Sequence, residues 1–156
     1  MRKGLMITIL AVVLIGLGGW WVWIRSAHGF SANSKPTWIE AELAALSRRW
    51  ALPGSQNDLK NPYPATPERL QVAHQLFHTQ CALCHNENGD GHTAIGGALY
   101  PKTPDLGGQT QAKSDGALFY SIRNGIRLSG MPAWSGQDTD EQIWGLVSLI
   151  RSLKHP

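Results

Sequence analysis

Residues 5–24, LMITILAVVLIGLGGWWVWI, form an apolar run with no charged side chain. As a helix this run would rise about 30 Å, enough to cross the hydrocarbon core of a bilayer. Trp20, Trp21, Trp23 and Arg25 stand where a secretory signal would place small residues for cleavage, and a cut after Gly29 is only weakly marked. The run therefore predicts an uncut membrane anchor with an aromatic belt at its outer end. After it the apolar positions follow a helical period in four places. Ile39, Leu43, Leu46 and Trp50 follow a Thr37–Glu40 capping box. Their narrow stripe suits the outer domain, the membrane surface or a partner subunit. Leu70, Ala73 and Phe77 follow a Thr66 cap with Pro67 in the first turn; Leu118, Phe119 and Ile122 follow a Ser114 cap and stop at Gly125. Ile143, Trp144, Leu146, Val147, Leu149 and Ile150 form the last helix, starting at Asp138 or Thr139 and ending in Arg151 and Lys154. Residues 51–67 carry four prolines and read as a stiff connector, and residues 86–113 as a Gly- and Pro-rich loop. No β alternation of useful length and no internal repeat occurs. The predicted architecture is all-α: an anchor over 1–25, a linker over 26–66 with an amphipathic helix at 38–50, and a small helical domain over 67–156.

Charge refines this picture. The formal net charge is +3, and Arg2, Lys3 and Arg25 account for all of it, since residues 26–156 hold 11 basic and 11 acidic side chains. The basic balance thus reports membrane topology and gives no ground for nucleic-acid binding. Arg2, Lys3 and the terminal amine place the N-terminus in the cytoplasm and everything after residue 25 outside.

Two cysteines occur, in Cys81-Ala82-Leu83-Cys84-His85, the C-x-x-C-H spacing of covalent haem attachment. Two thiols three apart on a helix end can each add to one vinyl group of a porphyrin, and the next residue then brings its imidazole under the iron. Zinc, a thioredoxin-like redox pair and a plain disulfide compete for the same residues. Zinc lacks a second ligand cluster, the redox pair lacks a βαβ context, and the disulfide leaves His85 without a role. Met131, in Ser129-Gly130-Met131-Pro132, is the methionine available as a second axial ligand, because Met1 and Met6 belong to the anchor. His74, His78, His92 and His155 are the other candidates for that position.

With both motifs in hand, residues 67–154 resemble a class I monohaem cytochrome c. The resemblance implies a cytochrome c-like helical fold around one covalent haem c, attached through Cys81 and Cys84 and ligated by His85 and Met131. Pro104-Asp105-Leu106 is similar to the family's Pro-x-Leu element, whose proline carbonyl accepts the axial histidine's Nδ1–H. Phe77 matches the aromatic that packs on the last helix, here against Leu146 and Leu149. Ala73 stands where the family has glycine at the crossing of first and last helices, which implies a slightly wider crossing. Leu149 stands where an aromatic is common. Arg123, Arg127 and Trp134 are propionate partners by position. His/Met ligation and burial of the porphyrin raise the reduction potential, so the resemblance implies an electron carrier and no bond-making catalysis. Its partners are then electron donor and acceptor proteins, with the anchor at residues 5–24 in the cytoplasmic membrane of a bacterium and the haem domain in the periplasm. Residues 66–156 hold 7 basic and 8 acidic side chains, with no ring of lysines for steering. That favours a cytochrome subunit fixed in a respiratory or photosynthetic membrane complex. The alternatives are a tethered carrier swinging between a quinol-oxidising complex and a terminal oxidase, or, in another class, a haem enzyme or gas sensor with an open iron position.

Overall fold

The computed structural model describes residues 2–27, 34–50 and 53–153. Among these, all regular structure is helical: α1 (Arg2–Ala27), α2 (Trp38–Trp50), α3 (Pro67–Leu76), α4 (Ala82–His85), α5 (Ala94–Ala98), α6 (Asp115–Asn124) and α7 (Asp140–Ser152). The chain divides into two compact units, Met1–Pro36 and Thr37–Pro156. The Gly29 cleavage point, Lys154, His155 and the side chain of Trp50 lie outside the described residues.

In the first unit, α1 exposes its large apolar side chains along its length. It is long and apolar enough to cross a membrane, a property that spans and signal sequences share. Near its end the rings of Trp20 and Trp23 lie 5.4 Å apart, and the Arg25 guanidinium sits 5.3 Å from the Trp21 ring.

In the second unit, the helix starts follow from their caps. Thr66 accepts from Arg69 N–H ahead of Pro67, Ser114 accepts from Ala117 N–H, and Thr139 forms a complete capping box with Gln142. α7 therefore begins at Asp140, with Asp138 outside it. The core is built where α3 meets α7, and it gathers Phe77, Leu146 and Leu149 in one buried cluster. Ala73 packs there opposite Gly145, where an added Cβ would stand 3.6 Å from the Ala73 Cβ. The small residue expected on the first helix is supplied by the last one. Phe119 and Trp144 stack at 4.3 Å and 12°, joining α6 to α7.

Three regions add detail to the sequence expectation. First, the compact unit begins at Thr37, so the capped helix and the Pro-rich stretch expected as linker belong to it. Residues 53–66 lie along the helices: a Cβ on Gly116 would overlap the Gln56 carbonyl oxygen. Asn61 Nδ2 donates to Trp144 O (3.2 Å) and Ser148 Oγ (2.9 Å), and the Arg69 guanidinium sits 5.5 Å from the Tyr63 ring. Proline supplies extension, but the hydrogen-bonding groups between the prolines decide what the extended chain lies against. Second, α2 leaves Ile39, Leu43 and Leu46 exposed. Its Ala45 and Arg48 line the domain's cavity, and Arg48 Nη1 donates to Leu128 O at 3.2 Å. Small side chains permit the closer approach, so the bulky stripe is turned outward. Third, the loop over 86–113 contains α5, capped by Thr93 Oγ1 accepting from Gly96 N–H (2.8 Å).

Candidate functional site

α3 runs through a π-helical turn, Phe77–Cys81, into α4. Such a turn holds an extra residue and re-aims the helix beyond it, a device common at functional sites. The re-aimed residues are Ala82-Leu83-Cys84-His85. Asn86 then breaks the helix at φ 64°, in the left-handed region. The chain folds back over the motif: Gly91 N–H donates to His85 O (2.9 Å), Thr93 Oγ1 to Cys84 O (3.2 Å), and Leu106 N–H to Gly89 O (2.8 Å). Gly91 has φ +74° and faces Thr103 O at a distance where a Cβ would clash, so only glycine lets the Pro104 segment close over the loop.

Met131 is presented by a second closed loop. Ile126 N–H donates to Met131 O (3.1 Å), Met131 N–H to Ser129 Oγ (3.2 Å), and Ser129 Oγ to Ile126 O (2.6 Å). The segment Met131–Ala133 lies on Gly125, which ends α6 at φ +68° and has no room for a side chain.

These loops and helices enclose a cavity of about 1000 Å³. Cys81, Cys84, His85, Pro104, Arg127, Met131 and Trp134 all line it, with apolar walls from residues such as Phe77, Leu106, Leu118 and Ile122. Arg123 stands apart, its Nε donating to Asp140 Oδ1 at 2.8 Å. His74, His78 and His92 are exposed and away from the cavity; His78 pairs with Glu87 (2.6 Å) and His92 faces Asp90 (3.5 Å).

The electrostatics fit a large apolar group with a metal at its centre. Burial, helped by the charges of Asp138 and Cys84, pushes the Cys81 thiol up to about 12, the opposite of an activated redox thiolate. Among the described residues no group of three His, Cys, Asp or Glu side chains is gathered for a bare metal ion. Burial lowers the pKa of His85 and keeps its ring neutral, as a ligand must be, while the Pro104 carbonyl pulls weakly the other way. His85 Nδ1 is buried without a hydrogen bond of normal geometry, with that carbonyl as the acceptor nearby. The cavity's volume lies at the top of the usual range for ligand pockets. A porphyrin held by two thioethers, an imidazole and a methionine sulfur would fit this cavity and its donor set.

Sequence reasoning overlooked two residues at this site. Gln80 lines the cavity, and Asp138, which donates no side chain to a cap, is buried beside it. Its place just before Thr139 was the only available signal, and it suggested a helix start.

Comparison with known proteins agrees with the geometry. The family described as cytochrome C oxidase, cbb3-type, subunit III, matches residues 68–150. A chain of the Kuenenia stuttgartiensis reducing HAO-like protein complex superposes with a TM-score of 0.53 at 18% identity, over 62% of this chain and 50% of that one. The present chain thus spans half the length of that structure, and the likeness is one of fold. Cytochrome CL from the marine methylotrophic bacterium Methylophaga aminisulfidivorans MPT aligns at 22% identity with a TM-score of 0.45, over 80% and 71% of the two chains.

Proposed function

We propose, from the premise that the chain belongs to the cytochrome C oxidase, cbb3-type, subunit III family, that it is a membrane-anchored carrier of single electrons with one haem c. The observation that carries this reading is the convergence of Cys81, Cys84, His85 and Met131 on one apolar cavity. Bound there, the haem supplies reversible exchange between Fe(II) and Fe(III). Cys81 and Cys84 would hold it by thioethers, and His85 and Met131 would ligate its iron. The Pro104 carbonyl would fix the tautomer and orientation of His85 through Nδ1. The soft Met131 thioether and the apolar walls, which exclude water, would both favour the reduced state. Arg127 and Trp134, which line the cavity, would meet the propionates. Arg123, occupied by Asp140, is the weaker candidate.

In this reading α1 is an uncut anchor with its N-terminus in the cytoplasm, and Thr37–Pro156 works on the outer face of a bacterial cytoplasmic membrane, in the periplasm. The balanced charge of the domain and a connector bound to its own helices favour a subunit fixed in a larger membrane complex over a freely swinging carrier.

The test is the optical spectrum of the detergent-extracted protein, oxidised and reduced, with carbon monoxide added to the reduced form. A covalent haem spectrum unchanged by carbon monoxide supports the six-coordinate carrier. Rapid carbon monoxide binding by the wild-type protein overturns it in favour of an open-iron enzyme or sensor.

A further inference from the structure

Asp138 is 7% exposed, yet it takes no part in capping α7. Its N–H donates to Trp134 O at 2.9 Å, and its Oδ1 accepts from Gln80 Nε2 at 3.1 Å. Its Oδ2 is buried without a partner, and so is the Oε1 of Gln80. Among the described residues no Lys, Arg or His forms an ion pair with this carboxylate. A buried carboxylate held by one amide is costly, because water has been removed from the charge and no cation replaces it. Its neighbours give that cost a destination. Gln80 lines the cavity and immediately precedes Cys81, so the carboxylate it holds lies one hydrogen bond behind the cavity wall.

We infer that Asp138 is a potential-setting residue: a carboxylate, held by Gln80 next to the attachment cysteine, that stabilises the oxidised state of the haem. The inference rests on the haem reading above. Oxidation of the iron removes one electron and adds one positive charge to the pocket, with no proton or atom exchanged. A nearby anion in a medium of low dielectric lowers the energy of that state. Asp138 thus opposes Met131 and the apolar walls, and holds the potential below what ligation alone would give.

The experiment is potentiometric titration of the full-length, haem-loaded protein as wild type, Asp138→Asn, Asp138→Ser and Asp138→Glu. Covalent haem is verified in each by its alkaline pyridine spectrum. The neutral variants are expected to shift the midpoint potential upward, and Asp138→Glu, which keeps the charge, to stay near wild type. The sign separates this role from a merely structural one, since a loosened pocket admits water and shifts the potential downward. Two neutral variants guard against one that fails to fold. Intact haem with an unchanged or lowered potential in the neutral variants overturns the inference alone. Absence of covalent haem in the wild type overturns the haem reading and this inference with it.

Discussion

Replacing Gly116 and Gly145 by alanine, one at a time, should move stability in opposite directions. Both glycines lie in helices, where alanine is intrinsically better by up to about 1 kcal/mol. At Gly145 the new methyl group meets Ala73 Cβ at 3.6 Å and Arg69 O at 3.8 Å, ordinary contact distances, so most of that gain survives. Gly145→Ala should therefore stabilise the domain by about 0.5–1 kcal/mol. At Gly116 the same methyl group overlaps the Gln56 carbonyl oxygen and comes within 2.8 Å of Leu59 Cβ. Neither obstacle is the end of a flexible side chain, so the connector must lift from α6. Overpacking of this kind costs about 1–3 kcal/mol, which leaves Gly116→Ala a net loss of about 1–2 kcal/mol after the propensity gain. For a unit of this size each kcal/mol is worth roughly 4 °C in Tm. The assay is thermal unfolding of the detergent-solubilised, haem-loaded protein followed by far-UV circular dichroism. Limited proteolysis of residues 53–66 would report the lifted connector directly. A Gly116→Ala protein as stable as wild type, with no new cleavage there, would refute the seating of the connector on α6.

Three further outcomes are expected. Met131→Ala should convert the reduced protein to one that binds carbon monoxide rapidly, seen as a shifted Soret band; no binding would remove Met131 from the iron. Arg151→Ala should cost about 1–2 kcal/mol in urea unfolding, because the guanidinium joins the end of α7 to Asp115 Oδ1 (2.7 Å), Gln111 O (2.9 Å) and Lys113 O. Arg151→Lys should recover only part of that loss. In the haem-free protein, burial depresses the pKa of His85 in the folded state, so the unfolded state binds more protons below the ordinary histidine value. Stability should be complete above about pH 6.5 and fall as the pH drops through it, and His85→Gln should flatten that slope in pH-dependent urea melts.

The helices of the domain were legible in the sequence because their signals are local. Thr66, Ser114 and Thr139 each accept the backbone N–H that their position predicts, and the apolar periods between them mark the buried faces. The attachment motif was legible for the same reason, its residues being adjacent along one helix end. Met131 required a weaker argument, by elimination and by its Gly-Met-Pro setting, and what presents it is a hydrogen-bonded loop closed on Gly125. The features that escaped are those that depend on two distant segments at once. Gly145 answers Ala73 across 72 positions, and Asp138 is buried through Gln80 across 58. α2 showed the limit of a periodicity argument. Its large apolar residues define a stripe, yet the face that meets the domain is the one with small side chains and a long arginine.

The notch at Gly116 has a consequence for how such a module is inherited. Similarity to the family begins at residue 68, but the helices that carry it are shaped to receive the chain that comes before. A recombination event that joined residues 68–150 to a foreign leader would leave a groove over α6 and remove the Asn61 hydrogen bonds to Trp144 O and Ser148 Oγ. Such a fusion would survive only if the new leader laid a backbone into the same groove. The piece that must travel together therefore includes the chain around Gln56–Asn61, whose residues are expected to change in step with α6 and α7.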